Sequence, residues 1–253
     1  MLDIKDMSII ITGGCSGLGY GMAKRFSSEG AKVTICGRRK DKVLEAQDNL
    51  GSNVKAVVAD ITDIEDRKKL IQASVDHGGK LDTLINNAGN MYKGKIDQLD
   101  QAELINIFNT NVISGMMLLG ESKKYLAETK GVNIFIGSVH NRRAFPEASP
   151  YAATKGALET LTKVLAAELG AEKIRVNCVV PGGVFTEINQ RAGLFDDESA
   201  KRRLEGMASM HALGRIGTAE EIAEAVEYLI CSEWTTGAIL DVDGGLGLGL
   251  NNV

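Results

Sequence analysis

The sequence predicts a single α/β domain built on a doubly wound, seven-stranded parallel sheet with helices on both faces. Two observations carry that reading. Short runs rich in Ile and Val alternate with longer segments of helical period from end to end, and 253 residues at 44% hydrophobic content suit one large core. Strands covered on both faces have no polar side, so their runs are continuously apolar rather than alternating. The first such run is Ser8 to Thr12, reading Ser-Ile-Ile-Ile-Thr. Further strands are expected at Lys32 to Cys36, Val54 to Ala59, Thr83 to Asn86, Asn133 to Gly137, Arg175 to Val179 and Ile239 to Asp241. Helices are expected between them at Gly17 to Glu29, Lys40 to Asn49, Ile64 to Val75, Gln101 to Glu128, Pro150 to Leu169 and Ala219 to Cys231. The stretch Phe185 to Leu213 is polar and charged with no strand period. Lying after the sixth strand, it is expected to form a lid over a ligand, because ligands of such sheets sit at the carboxyl ends of the strands.

Composition narrows the function. A formal net charge of -4 argues against a nucleic-acid-binding surface, the basic runs Arg38-Arg39-Lys40 and Lys201-Arg202-Arg203 being local. The four cysteines are far apart, with no CxxC and no nearby histidine pair, so neither a disulfide framework nor a metal site is expected. A reducing cytoplasm fits that usage. The first residues carry acid where a signal peptide is basic, and no apolar stretch approaches ~20 residues, so no membrane partner is expected.

The residues that point to chemistry are Ser138, Tyr151 and Lys155. The segment Ser149-Pro150-Tyr151-Ala152-Ala153-Thr154-Lys155 predicts a helix with Ser149 as N-cap and Pro150 at the first helical position. Tyr151 and Lys155 then share one face, so the ammonium can lie near the phenol. A phenol titrates near 10, and a base usable near neutrality requires a lowering of ~3 pH units, about 4 kcal/mol. A cation ~4 Å away at an effective dielectric of ~20 contributes roughly that much. Ser138 would donate to the reacting oxygen and hold it within reach of Tyr151. Together they form a proton-transfer set for carbonyl reduction or alcohol oxidation by a nicotinamide cofactor.

Directly after the first strand comes Thr12-Gly13-Gly14-Cys15-Ser16-Gly17-Leu18-Gly19, followed by a helix. Glycines there let the backbone turn tightly and approach a pyrophosphate, whose charge meets the helix N-terminus. In order along the chain follow Asn86-Asn87-Ala88-Gly89, Asn111, Ser138, Tyr151, Lys155 and Pro181-Gly182-Gly183-Val184-Phe185-Thr186. On these motifs the chain resembles the short-chain dehydrogenase/reductases over essentially its whole length. The resemblance implies a Rossmann-like fold and an NAD(P)-dependent oxidoreductase acting on a small carbonyl or alcohol. It makes Ser138, Tyr151 and Lys155 catalytic and has Asn111 support a water relay to Lys155, which also holds the nicotinamide ribose. It lines the cofactor with Thr12, Gly13, Cys15, Ser16, Gly17, Leu18, Gly19, Asn87, Ala88, Gly89, Pro181, Gly182, Val184 and Thr186. Asp60, with Ile61 beside it, would accept from adenine, although the sequence equally allows an Asp that serves a turn or helix cap.

Cofactor choice turns on the end of the second strand, where an acidic residue would bind the ribose hydroxyls of NAD and repel a phosphate. Cys36-Gly37-Arg38-Arg39 stands there instead, so Gly37, Arg38 and Arg39 favour NADP(H) over NAD(H). Substrate contacts are expected from His140, Phe145 and Gly183. His140 could bond a substrate hydroxyl or carboxylate, or pack and satisfy itself locally. Lys93, Arg142, Arg143 and Arg191 could favour an anionic substrate or remain solvated. Alternatives to the NADP-dependent reductase are an NAD-linked alcohol, sugar or sterol dehydrogenase, a 3-oxoacyl-thioester reductase, and a non-catalytic NADP-binding sensor. The resemblance adds a homotetramer (or homodimer) assembled on the fourth and fifth predicted helices.

Overall fold

The computed structural model describes residues 2–184 and 206–249. Seven strands, β1 (Ser8–Thr12), β2 (Lys32–Gly37), β3 (Val54–Val58), β4 (Thr83–Asn86), β5 (Val132–Ile136), β6 (Arg175–Pro181) and β7 (Ile239–Val242), form one sheet. All pairings are parallel, in the order β3-β2-β1-β4-β5-β6-β7. The chain winds outward from β1 to β3, then returns to place β4 on the other side of β1. A crevice opens at such a reversal, beyond the carboxyl ends of β1 and β4.

The helices are α1 (Gly17–Ser28), α2 (Lys40–Leu50), α3 (Ile64–Gly78), α4 (Gln101–Phe108), α5 (Ser114–Thr129), α6 (Ser149–Leu169) and α7 (Ala219–Cys231). Successive residues of β1 go to opposite sides of the sheet. Ile9 and Ile11 join Met22 and Phe26 of α1 and Ile222, Val226 and Leu229 of α7, while Ile10 joins Leu70 of α3, Leu118, Leu119 and Leu126 of α5, and Leu158 of α6. Each such buried side chain contributes roughly 1.5–3 kcal/mol. Two filled faces are the physical reason for the continuously apolar strands. Gln101–Thr129 is long and apolar enough by composition to cross a membrane, but Leu118, Leu119 and Leu126 spend its apolar face on this core.

The predicted strands and helices are all present with ends shifted by a few residues, and two local expectations fail. The helix foreseen over Gln101 to Glu128 is divided by a π-turn at Asn109–Ile113. Here the side chain of Asn111 is drawn inward by bonds to Asn90 and Thr154, and the wider turn accommodates it. Ser149 is not the N-cap of α6 but its first helical residue. Ala148 takes the cap position without a side-chain bond, after a left-handed Glu147 (φ 66°) starts the helix one residue early. A true cap stands on α7, where Thr218 and Glu221 form a reciprocal capping box. Of the predicted lid, residues 185–205 lie outside the described residues; the rest includes a 3-10 turn at Ala208–Met210.

Candidate active site

The ends of β1 and β4 are tied together by one hydroxyl. Thr12 Oγ1 accepts from the backbone N–H groups of Asn87 and Ala88, both at 3.0 Å, and donates to Ile85 O at 3.3 Å. The Asn87 amide donates back to Thr12 O at 2.8 Å. Between these anchors the chain turns at Gly13, whose φ is +66°. A Cβ at Gly19 would lie 2.5 Å from both Gly13 O and Asn87 Nδ2, so α1 can approach the turn only without a side chain there. Ser16, at the N-cap of α1, makes no side-chain cap bond, leaving the first amides of the helix directed at the crevice.

One long cleft runs from this turn to the ends of β5 and β6. Its nucleotide end is lined by Gly13, Ser16, Gly17 and Leu18, then by Gly37, Arg38, Asp60 and Ile61, and its middle by Asn87, Ala88 and Gly89. Ser138, Tyr151 and Lys155 line the far end with Pro181, Gly182, Gly183, Val184, His140 and Phe145. Thr12, Cys15, Gly19 and Asn111 are behind this wall rather than in it, and Arg39 is exposed on the surface and does not line the cleft. Thr12 and Gly19 shape the turn, as described. Cys15 fills the space beside Gly37, where a Cβ would come within 3.1 Å of its sulfur. Burial pushes the Cys15 thiol up to about 11. Thr186 and Arg191 lie outside the described residues.

Asp60 spends one oxygen locally, accepting from Thr62 N at 3.0 Å and Thr62 Oγ1 at 2.8 Å. Its other oxygen is 3.8 Å from Arg38 Nη1, and both side chains are exposed enough that the pair contributes little. The helix-cap role falls to Asp63, which accepts from Glu65 and Asp66 N–H. Arg67, buried and paired with Glu121, donates to Ile61 O at 3.0 Å and holds this wall in place.

At the other end Ser138, Tyr151, Lys155 and Asn111 are all buried. Lys155 Nζ donates to Ile136 O at 2.7 Å and lies 5.5 Å from the centre of the Tyr151 ring. Burial pushes the Lys155 ammonium down to about 8. The Tyr151 phenol is pushed up to about 12 by burial, a hydrogen bond from Ser138 acting in the opposite direction. The lowered phenol expected from sequence is therefore absent in this geometry: removal from water outweighs the Ser138 hydrogen bond, and the Lys155 ammonium donates to Ile136 O. Asn111 donates to Asn90 O at 2.9 Å and Thr154 Oγ1 at 3.0 Å and accepts from Asn90 N at 2.8 Å. A Cβ at Gly89 would be 3.2 Å from Asn111 Oδ1 and 3.7 Å from Lys155 Nζ, so a side chain there would crowd both groups.

The cleft also takes in Cys36, Ala59, Asn90, Met91, Ile136, Val139 and Met207, which sequence reasoning did not single out. Cys36, Ala59 and Ile136 lie at or just past strand ends beside named motifs, a signal that could have found them. Met91 and Met207 are brought in by loops and carry none.

A family model described as enoyl-(acyl carrier protein) reductase matches residues 13–247. The chain is a short-chain dehydrogenase/reductase. It is similar to glucose 1-dehydrogenase of Gluconobacter oxydans, 33% identical over 248 residues, covering 95% of this chain and 91% of the relative. Among solved structures, a short-chain dehydrogenase/reductase from Caenorhabditis elegans with cofactor superposes at a TM-score of 0.92 with 29% identity, over 98% of each chain. The 3-ketoacyl-(acyl-carrier-protein) reductase of Brucella melitensis complexed with NADH gives 0.86 and 31%, over 96% of this chain and 99% of that one. As a member of this family the protein is an NAD(P)-dependent oxidoreductase with a small-molecule substrate.

Proposed function

We propose that this short-chain dehydrogenase/reductase uses NADP(H) to interconvert a carbonyl and a secondary alcohol, with Tyr151 as acid/base. The observation that carries the reading is the meeting of Ser138, Tyr151 and Lys155 in one cleft with the glycine turn. The turn and the uncapped start of α1 fit a pyrophosphate. When bound, the nicotinamide gives or takes the hydride. Ser138 donates to the substrate oxygen, Tyr151 supplies or removes its proton, and Lys155 offers the ammonium that steadies the developing phenolate. A phenol protonated at neutral pH is poised for the reductive direction. Asn111 fixes the loop carrying Asn90 beside Lys155 and supports the proton path to it.

The preference for NADP rests on Gly37 and Arg38. No carboxylate extends from the end of β2, and the Arg38 guanidinium borders the cleft for a charge-assisted fork to a 2′-phosphate. Asp60 and Ile61 take the adenine side, and Val184 the carboxamide side. The substrate is a small ketone or its alcohol; His140, Phe145 and Gly183 border it. Assembly as a homotetramer or homodimer is supported by exposed Met116 and Met117 on α5 and Val164 on α6, whereas Leu118, Leu119 and Leu158 are buried within the subunit. Four unpaired thiols suit a cytoplasmic setting.

The test is titration with NADPH and NADH followed by a carbonyl panel. Tyr151→Phe is expected to lower turnover by at least roughly a thousandfold with cofactor affinity unchanged. Retained turnover removes Tyr151 from the acid/base role; NADPH binding with no oxidation of any compound favours a non-catalytic sensor.

A further inference from the structure

We infer that His140 is a positioning residue for Ser138: its Nδ1–H donates to the serine hydroxyl and so turns the single serine proton toward the reacting oxygen. The inference rests on the proposed carbonyl chemistry and adds to it a residue that decides whether Ser138 can act.

His140 Nδ1 is 3.1 Å from Ser138 Oγ, and the His140 backbone N–H approaches the same oxygen at 3.4 Å. The imidazole is held on two sides. It lies against the Phe145 ring with centroids 4.5 Å apart and meets Tyr151 edge-on at 5.0 Å. These contacts fix the ring plane, and within that plane the edge facing Ser138 carries Nδ1 at 3.1 Å.

A hydroxyl has one proton and two lone pairs. Ser138 must spend its proton on the substrate oxygen, or on Tyr151 while no substrate is present, the direction in which its bond acts on the phenol. Every other partner at Oγ therefore has to be a donor. The backbone N–H is one by nature. The ring nitrogen is one only in the Nδ1–H form; with the proton on Nε2, Nδ1 becomes an acceptor, competes for the serine proton and turns it away from the reacting oxygen. His140 thus acts through Ser138.

The test has an arm that needs no substrate. In 15N-histidine-labelled protein, free and with NADPH, the signal of His140 is identified among the three histidines by its loss in His140→Asn. The expected result is the Nδ1–H form in wild type, moving toward Nε2–H in Ser138→Ala. On the carbonyl turned over fastest, His140→Leu should lower kcat roughly tenfold with KM unchanged, the worth of one hydrogen bond. His140→Asn, which keeps an N–H donor near the Nδ1 position, should restore most of it, and His140→Leu should cost nothing further in a Ser138→Ala background. An Nε2–H ring in wild type, a loss confined to KM, or a His140→Leu loss undiminished in Ser138→Ala overturns the inference. A wild type that turns over no carbonyl would count against the proposed function, while the tautomer would still decide the role of His140.

Discussion

At one end of the cleft, where the nucleotide is proposed to sit, much of the wall is backbone, whereas at the end proposed to be catalytic buried polar side chains form it. Gly13, Gly17 and Gly37 contribute almost no surface of their own, and Thr12, Gly19 and Cys15 behind them set how closely the chain can pack. Ser138, Tyr151 and Lys155 instead contribute polar atoms, and burial raises the Tyr151 phenol and lowers the Lys155 ammonium. The difference teaches what each end is sensitive to. The first fails by steric obstruction. The second is adjusted by charge and solvent, and its response should be graded with pH.

Gly19→Ala is the sharpest way to break the nucleotide end. The new Cβ would sit 2.5 Å from Gly13 O, a backbone atom that cannot rotate away, so the turn or α1 must shift. Overpacking of this kind costs roughly 1–3 kcal/mol, which predicts NADPH binding weakened about 10- to 100-fold. Fluorescence titration checks it, and affinity within about threefold of wild type would mean the turn is softer than its geometry suggests. Arg38→Asp probes the same end without changing its shape. It places a carboxylate beside the site inferred for a 2′-phosphate, so NADPH affinity should fall about tenfold while NADH is held equally well or better. Unchanged affinities for both would remove Arg38 from cofactor selection.

The same contrast explains what the sequence could convey. A doubly buried sheet imposes continuously apolar strands, and the joining of Ile9 and Ile11 to one cluster and Ile10 to the other is the physical form of that pattern. The glycine turn was legible because few residue types allow it. At the catalytic end the Tyr151–Lys155 spacing survives because it lies on one regular helix, α6. The π-turn around Asn111 was not legible, since it depends on bonds to Asn90 and Thr154 from distant parts of the chain. Nor was the resting state of the phenol. Spacing puts a lysine near a tyrosine but does not say that its ammonium donates to Ile136 O, nor how much water both groups lose.

Lys155 makes that burial measurable. Its ammonium is held down to about 8, whereas the Tyr151 phenol stays protonated to about 12. Below about 8 both protons that the proposed reduction uses are in place; as pH rises through that value the Lys155 cation is lost first. The reductive kcat/KM should be level from pH 6 to 7.5 and fall severalfold by roughly pH 9. Lys155→Met should be slower throughout and lose the inflection. A wild-type profile flat to pH 10 would mean that another group supplies the charge.

The smallest effect is expected at the rim of the catalytic end, where Glu147 has a φ of 66°. The left-handed positions of the nucleotide turn, Gly13 and Gly17, are occupied by the residue that tolerates them, but here a side chain is forced into the same region. Its carbonyl accepts from Gly94 N–H at 2.9 Å, bridging the loop after β4 to the start of α6 close in sequence to Lys93 and Phe145, which line the cleft. That bridge holds Glu147 in place against a cost of roughly 1–2 kcal/mol. Glu147→Gly removes the cost while keeping the carbonyl, but it also frees the unfolded chain, which takes back about half the gain. The net expectation is a stabilisation of about 0.5–1 kcal/mol in urea unfolding, with NADPH affinity unchanged because the nucleotide end is untouched. A loss of stability would show that the Glu147 side chain, and not only its carbonyl, fastens the rim.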